Sequence, residues 1–228
     1  MLRPKKKITK RELKQDPVLT TYAKVLNYYE QNKKYLSYAV TALVVIVVAT
    51  VVYTNNRRAS NEKAAAELGK VMQYFDAASY QQAIDGVPEQ GVQGLKAIVD
   101  NYGGESAEFA RFYLANSYYM VGKYDEALQQ FRDFSGGDNL LKSSALAGTA
   151  SCYEAKSDYS SAAKYFEKAA TKAGTEPVAA EYLAHAAFNY GRAGEKTTAV
   201  DLYKRLKKEF PTAASARDAD RYIAYYSM

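Results

Sequence analysis

Two patterns of apolar and polar positions divide the chain. From Tyr35 to Asn56 no residue is charged, and Leu36 to Tyr53 is nearly all apolar, with no polar position returning at the helical period. Beyond about residue 60, apolar residues instead recur every three to four positions, in blocks separated by short turn signals such as Gly122-Lys123 and Ser157-Asp158. The first pattern predicts a helix with no water-facing side, and the second predicts amphipathic helices that bury one stripe each. The predicted fold class is all-α: a single N-terminal transmembrane helix, then paired helices and a C-terminal capping helix.

The uniform segment has the dimensions of a bilayer span. Helical residues rise about 1.5 Å each, so Leu36 to Tyr53 covers roughly 27 Å of a hydrocarbon core about 30 Å thick. Tyr35, Tyr38 and Tyr53 stand at the ends, with Lys33, Lys34, Arg57 and Arg58 just outside them, as interfacial aromatics and flanking cations do. No small-x-small cleavage pattern follows closely, which points to an uncleaved anchor over residues 35–56.

Ahead of the span, Val18, Leu19, Tyr22, Val25, Leu26 and Tyr29 form an apolar stripe on an amphipathic juxtamembrane helix, residues 16–34. That stripe suits either a leaflet surface, with Lys14, Lys24, Lys33 and Lys34 near lipid phosphates, or another membrane protein. Residues 1–15 read as a basic disordered tail. The net charge of +6 is entirely N-terminal, since ten Lys and Arg precede residue 35 against Glu12, Asp16 and Glu30. A short cationic tail resists translocation while a long following domain does not, so the tail is assigned to the cytoplasm and residues 57–228 to the far side. Anionic lipid accounts for the basic tail, and no specific nucleic acid is implied.

Within residues 57–228 an aromatic, a second aromatic six residues on and an Ala three further recur as Tyr74/Tyr80/Ala83, Tyr118/Tyr124/Ala127 and Tyr153/Tyr159/Ala162, then with one substitution as Tyr190/Lys196/Ala199. The intervals of 44, 35 and 37 residues match one helix-turn-helix unit, which cannot bury its apolar face alone and stacks on copies of itself. Units of about 60–103, 106–139, 142–175 and 178–211 follow, with a cap at 213–226. The first is degenerate, interrupted at Asp85-Gly86-Val87-Pro88 before a helix through Leu95, Ile98 and Val99. In the second, Ala115 and Ala127 allow close helix approach, Tyr118 and Phe131 fill space toward the neighbour, and Gly122 takes the positive φ of a tight helix end.

Small residue, aromatic, turn, aromatic, Ala, aromatic and a closing Pro211 appear in the order of the tetratricopeptide repeat (TPR), which residues 60–226 resemble. The usual Trp is replaced by Arg111, Leu146 and Leu183. In such arrays the first helices line a concave groove, and the register carries that role to Phe109, Phe112, Asn116, Tyr119 and Met120, to Ser144, Ala147, Ser151 and Glu154, and to Glu181, Ala184, Phe188 and Arg192. The resemblance thus implies a groove that is apolar with few charges and suited to an extended or helical segment of a protein partner. Only Asn116 matches the Lys and Asn positions that clamp a peptide carboxylate in the family's chaperone-tail receptors. An anchor followed by such an array also resembles the YfgM-like ancillary subunits of the bacterial Sec translocon, as does Tyr28-Tyr29-Glu30-Gln31-Asn32-Lys33-Lys34. That resemblance implies a scaffold or chaperone-like component near the translocation machinery of the bacterial inner membrane. The alternative is a constitutive structural subunit of a large membrane complex.

Catalytic chemistry lacks its parts in the sequence. His185 and Cys152 are the single residues of their kinds, and neither a phosphate-cradling Gly loop nor a Gly-x-Ser-x-Gly elbow occurs. A lone Cys permits no intrachain disulfide, and one His with one Cys makes no dedicated transition-metal cage. The reading is a non-enzyme without cofactor or metal.

Overall fold

The computed structural model describes residues 17–175 and 177–228, and the basic tail assigned to residues 1–15 lies outside them. The side chains of Pro17, Val18 and Leu19 lie outside as well. The chain separates into two compact units between Asn56 and Arg57.

The N-terminal unit is a helix, part of α1 (Pro17–Asp76). Pro17 sits at the first position, where its missing N–H costs nothing, and neither Gly nor Pro interrupts the following residues up to Asn56. Ser37, Thr41 and Thr50 fall within the apolar run. Thr41 Oγ1 donates to the Ser37 carbonyl at 2.9 Å and Thr50 Oγ1 to the Ile46 carbonyl at 2.8 Å, so these hydroxyls are satisfied inside their own helix. The most apolar stretch has a mean hydropathy of 2.3 and none of it is buried. Among the described residues this is the one helix long and apolar enough to cross a membrane.

The second unit is a stack of antiparallel helices. After the end of α1 come α2 (Tyr80–Asp85), α3 (Leu95–Asn101), α4 (Glu105–Met120), α5 (Tyr124–Asp133), α6 (Asn139–Ala155), α7 (Tyr159–Ala173), α8 (Pro177–Arg192), α9 (Lys196–Glu209), α10 (Ala214–Arg217) and α11 (Ala219–Tyr226). Each long helix packs chiefly on its neighbours in sequence, as stacked repeats must. The interruption foreseen near Asp85 is a minute antiparallel hairpin, β1 (Gly86–Val87) and β2 (Val92–Gln93), joined by a 3₁₀ turn at Pro88–Gln90. The rest of the unit is helical, and the fold class is all-α as expected. Gly86 and Gly94 lie so close that a Cβ on either would strike the other's backbone, which bends the chain back before α3.

Four turns between paired helices share one design. Ser79, Lys123, Asp158 and Glu195 donate their N–H to the carbonyls of Tyr74, Tyr118, Tyr153 and Tyr190, the six-to-one bond of a Schellman end. The residue before each donor has positive φ: Ala78 at 55°, Gly122 at 78°, Ser157 at 62° and Gly194 at 85°. Two of the four therefore put a side chain where glycine is preferred.

Small residues set the spacing of the stack. Ala83, Ala127, Ala162 and Ala199 are all fully buried, as are Ala115, Ala150 and Ala187 on the first helices, so helices approach closely and Tyr, Phe and Leu fill what remains. One helix start is completed from a distance. Gly104 precedes α4 and offers no side chain, and Asn61 on α1 supplies the missing acceptor, its Oδ1 taking the Ser106 N–H at 2.8 Å. Asp138 and Asp158 cap α6 and α7 locally through Leu141 and Ser161, and hydrogen bonding from Ser161 holds the Asp158 carboxyl below its usual range.

Candidate functional site

The candidate site grows from the last first-helix of the array. α8 buries Leu183, Ala186, Ala187 and Tyr190, and thereby turns Ala184, Phe188 and Arg192 along a second face. α11 packs against α9 as the first helix of a further unit would, with Ala219 and Tyr226 buried. The Tyr222 ring lies parallel on Tyr203, centroids 5.0 Å apart at 5°, and meets Phe188 edge-on at 6.2 Å. Tyr226 reaches back over α8, where a Cβ at Gly191 would stand 2.1 Å from the ring. Only glycine leaves room for it.

Two adjoining recesses result, sharing Phe188 and Tyr222. One, of about 410 Å³, is walled by Gly191, Tyr225 and Tyr226 and carries the guanidinium groups of Arg192 and Arg221. The other, of about 310 Å³, adds Ala184, His185 and Tyr203, with Glu154 and Asp218 as its acids. The cations are held over rings: Arg192 lies 3.9 Å from the Tyr159 centroid, donates to its hydroxyl at 2.5 Å and comes within 3.9 Å of Glu154, while Arg221 lies 5.0 Å from the Tyr222 centroid. His185 is exposed and stacks on Phe166 at 5.0 Å. Burial raises the Tyr203 hydroxyl well above the ordinary phenol range, so it stays neutral against this wall.

Of the thirteen residues singled out from the sequence, Glu154, Ala184, Phe188 and Arg192 meet at these recesses. The five from the earlier unit line neither. Phe112 is wedged between its own two helices, against Phe131 at 5.9 Å and Phe134 at 5.6 Å. The Asn116 amide donates to the Phe112 carbonyl at 2.7 Å along its own helix. Tyr119 is half-buried against Tyr124, its hydroxyl pushed up by burial with Tyr124, Cys152 and Glu154 adding to the effect. Phe109 is half-buried, and Met120 is 56 % exposed. The expected shortage of charge does not hold at the recesses, where Arg192, Arg221, Glu154 and Asp218 gather.

Sequence reasoning passed over Gly191, Arg221, Tyr225 and Tyr226 as site residues. A signal for Tyr226 was present, because it follows Tyr190 by 36 residues and so continues the tyrosine series. Gly191 had none, since its need for a bare α-carbon arises from a ring 35 positions away.

Nucleophilic chemistry has little support here. Cys152 is fully buried and its thiol is pushed up to about 12, chiefly by burial, which keeps it protonated and inert. Among the described residues no cluster of three or more His, Cys, Asp or Glu side chains could hold a metal ion.

Comparison with known proteins bears on the repeat and the fold. A model of the tetratricopeptide repeat matches residues 183–213, which hold the end of α8 and all of α9. The fold is similar to crystal structures of nearly identical TPR-like repeats of a kinesin light chain from Podosopora anserina. One of these aligns with a TM-score of 0.55 at 14 % identity, covering 73 % of this chain and 85 % of the other. A second gives 0.54 at 14 % identity, covering 73 % and 86 %. No curated protein matches the chain. Repeats of this kind are protein-interaction modules, typically without catalysis, and no catalytic family is indicated. The chain thus carries a tetratricopeptide repeat within an array of TPR-like fold.

Proposed function

We propose that the chain is a membrane-anchored scaffold whose C-terminal recesses receive a short segment of a polypeptide partner. The observation that carries this reading is the joined pair of hollows around Phe188 and Tyr222, edged by two ion pairs, Arg192 with Glu154 at 3.9 Å and Arg221 with Asp218 at 3.7 Å. Such a surface favours a segment with an apolar or aromatic residue to lie on the rings and an acidic side chain to displace Glu154 or Asp218 from its guanidinium. Guanidinium groups stacked on rings are held in place, so less freedom is lost when a carboxylate arrives.

The anchor reading is supported by the exposed apolar run in α1 and by its flanking tyrosines and cations. On this reading residues 36–53 span a bacterial inner membrane, the N-terminus is cytoplasmic and the array is extracytoplasmic, where proteins emerging from the translocation machinery are the natural partners. A photoreactive phenylalanine analogue in place of Phe188 tests it in intact membranes, with the same analogue at Phe112 as the control. Adducts from position 188, reduced by Arg221→Glu and absent from position 112, are expected. Equal adducts at both positions, or none from either, overturn the recess as the binding site. Adducts that contain neither translocon components nor emerging chains overturn the translocon setting.

A further inference from the structure

We propose that the N-terminal helix pairs with the same helix of a second copy, parallel and in register, along one seam that runs from the aqueous side into the bilayer. The proposal rests on the anchor reading above.

Continuity of α1 poses the problem. Residues 18–56 contain neither Gly nor Pro, and the helix shows no break where the span begins, so the segment before Tyr35 continues the line of the span. At about 1.5 Å per residue Tyr22 stands roughly 20 Å beyond Tyr35, whereas the headgroup layer on each side is only about 5–8 Å deep. Lipid therefore does not cover Tyr22, Val25 and Tyr29, which are 62 %, 60 % and 56 % exposed.

The stripe has the period of a helix–helix seam. Tyr22, Val25, Tyr29, Asn32 and Leu36 alternate by three and four residues, and beyond Leu36 the helix is apolar on every side, so the seam meets apolar residues wherever it continues. Lys24, Asn27, Glu30, Gln31 and Lys34 all fall away from it, and the Gln31 amide donates to Asn27 at 3.1 Å along that outer face. Over residues 22–36 a 3.5-residue period is narrower than an interfacial helix needs, since a leaflet accepts any broad apolar face.

Three arguments select a second copy as the occupant. Copies anchored by the same span are necessarily parallel and at the same depth, so the seam of one meets the identical seam of the other without adjustment. In that register Asn32 faces Asn32, a polar pair that fixes alignment, and Tyr28 on one helix flanks Lys33 on the other, an aromatic face beside a cation. At about 200 Å² per tyrosine, the exposed parts of Tyr22, Val25, Leu26, Tyr28 and Tyr29 on two copies amount to on the order of 1,000 Å², about where specific interfaces begin, before the span adds its share.

Disulfide trapping in membranes tests the seam in the full chain, with buried Cys152 left in place and the wild type as the control. Val25→Cys, Tyr29→Cys and Asn32→Cys are expected to give about ten-fold more oxidised dimer than Lys24→Cys, Asn27→Cys and Gln31→Cys. Comparable dimer from both sets, or none from either while the protein resists alkaline extraction, overturns the pairing and leaves the anchor standing. Release of the chain by alkali overturns the anchor and the pairing together.

Discussion

Valine does opposite things in the two units. Val44 to Val52 in the N-terminal helix are 52–60 % exposed at every valine, whereas Val71, nineteen residues beyond Val52 on the same helix, is completely buried. The residue type is the same and the helix is the same. What differs is the company each residue keeps at the helical period. Around Val71 polar residues such as Lys70 and Gln73 give α1 a wet side, and α2 and α4 lie close enough in sequence to cover the dry one. Around Val48 every side is apolar, the pattern of a helix enclosed on all sides, whether by protein or by lipid. Apolar content therefore favours leaving water, and periodicity tells a helix that keeps one wet side from a helix that has none.

The largest test of this contrast compares truncations. Leu183→Ala or Leu206→Ala, each at a buried position in the array, should cost about 2–5 kcal/mol in chemical unfolding of the detergent-solubilised protein. Val45→Ala should leave the array's transition where it was. An equal loss from Val45→Ala would break the contrast.

Next in size is the cap. Gly191→Val drives a side chain into the Tyr226 ring and should destabilise the array by about 1–3 kcal/mol, the range for overpacking. Opening of α11 should speed trypsin cleavage at Arg221, and an unchanged cleavage rate would show that the cap is not held through Gly191.

Smaller and opposite in sign are the turns. Ala78→Gly and Ser157→Gly should each raise stability by about 0.5–1 kcal/mol, because the left-handed cost of a side chain slightly exceeds the entropy that glycine loses. Gly122→Ala should lower it by a similar amount, measured by the same unfolding curves. Loss of stability on Ser157→Gly would mean that the serine side chain contributes more than its backbone strain costs.

The smallest effect is confined to alkaline solution. The Tyr190 hydroxyl, buried and donating to Glu167 at 3.2 Å, is pushed up to about 12 by burial first and the Glu167 charge second. Its neutral form is favoured in the fold, so its contribution is complete below about pH 10, the ordinary tyrosine value, and is lost as pH climbs toward 12. Tyr190→Phe should flatten part of the fall in melting temperature over that window, and an unchanged slope would exclude Tyr190 as a contributor.

Much of the array was legible because its information is local. A tyrosine, a turn and a buried Ala at fixed spacing specify one hairpin, and the four Schellman ends fall on the four tyrosines of the series. The small hairpin at Gly86–Gln93 was legible only as an interruption, since two residues per strand are too few to show alternation. Phe112 illustrates the limit of register: the repeat pattern assigns it a face, but Phe131 and Phe134 draw its ring between its own helices. Asn61 could not have been read as a cap for α4, because the acceptor and the N–H it satisfies are 45 residues apart.

The sequence by itself determined the helices, their pairing and the separation of one uniformly apolar segment from the amphipathic rest, because each depends on residues within one or two helical turns of each other. Tertiary structure alone decided where the surface becomes hollow. Phe188 and Arg192 on α8 gain Tyr222, Arg221 and Tyr226 as neighbours only when α11 folds back over Gly191, and a contact across some 30 residues leaves no period in the chain to announce it.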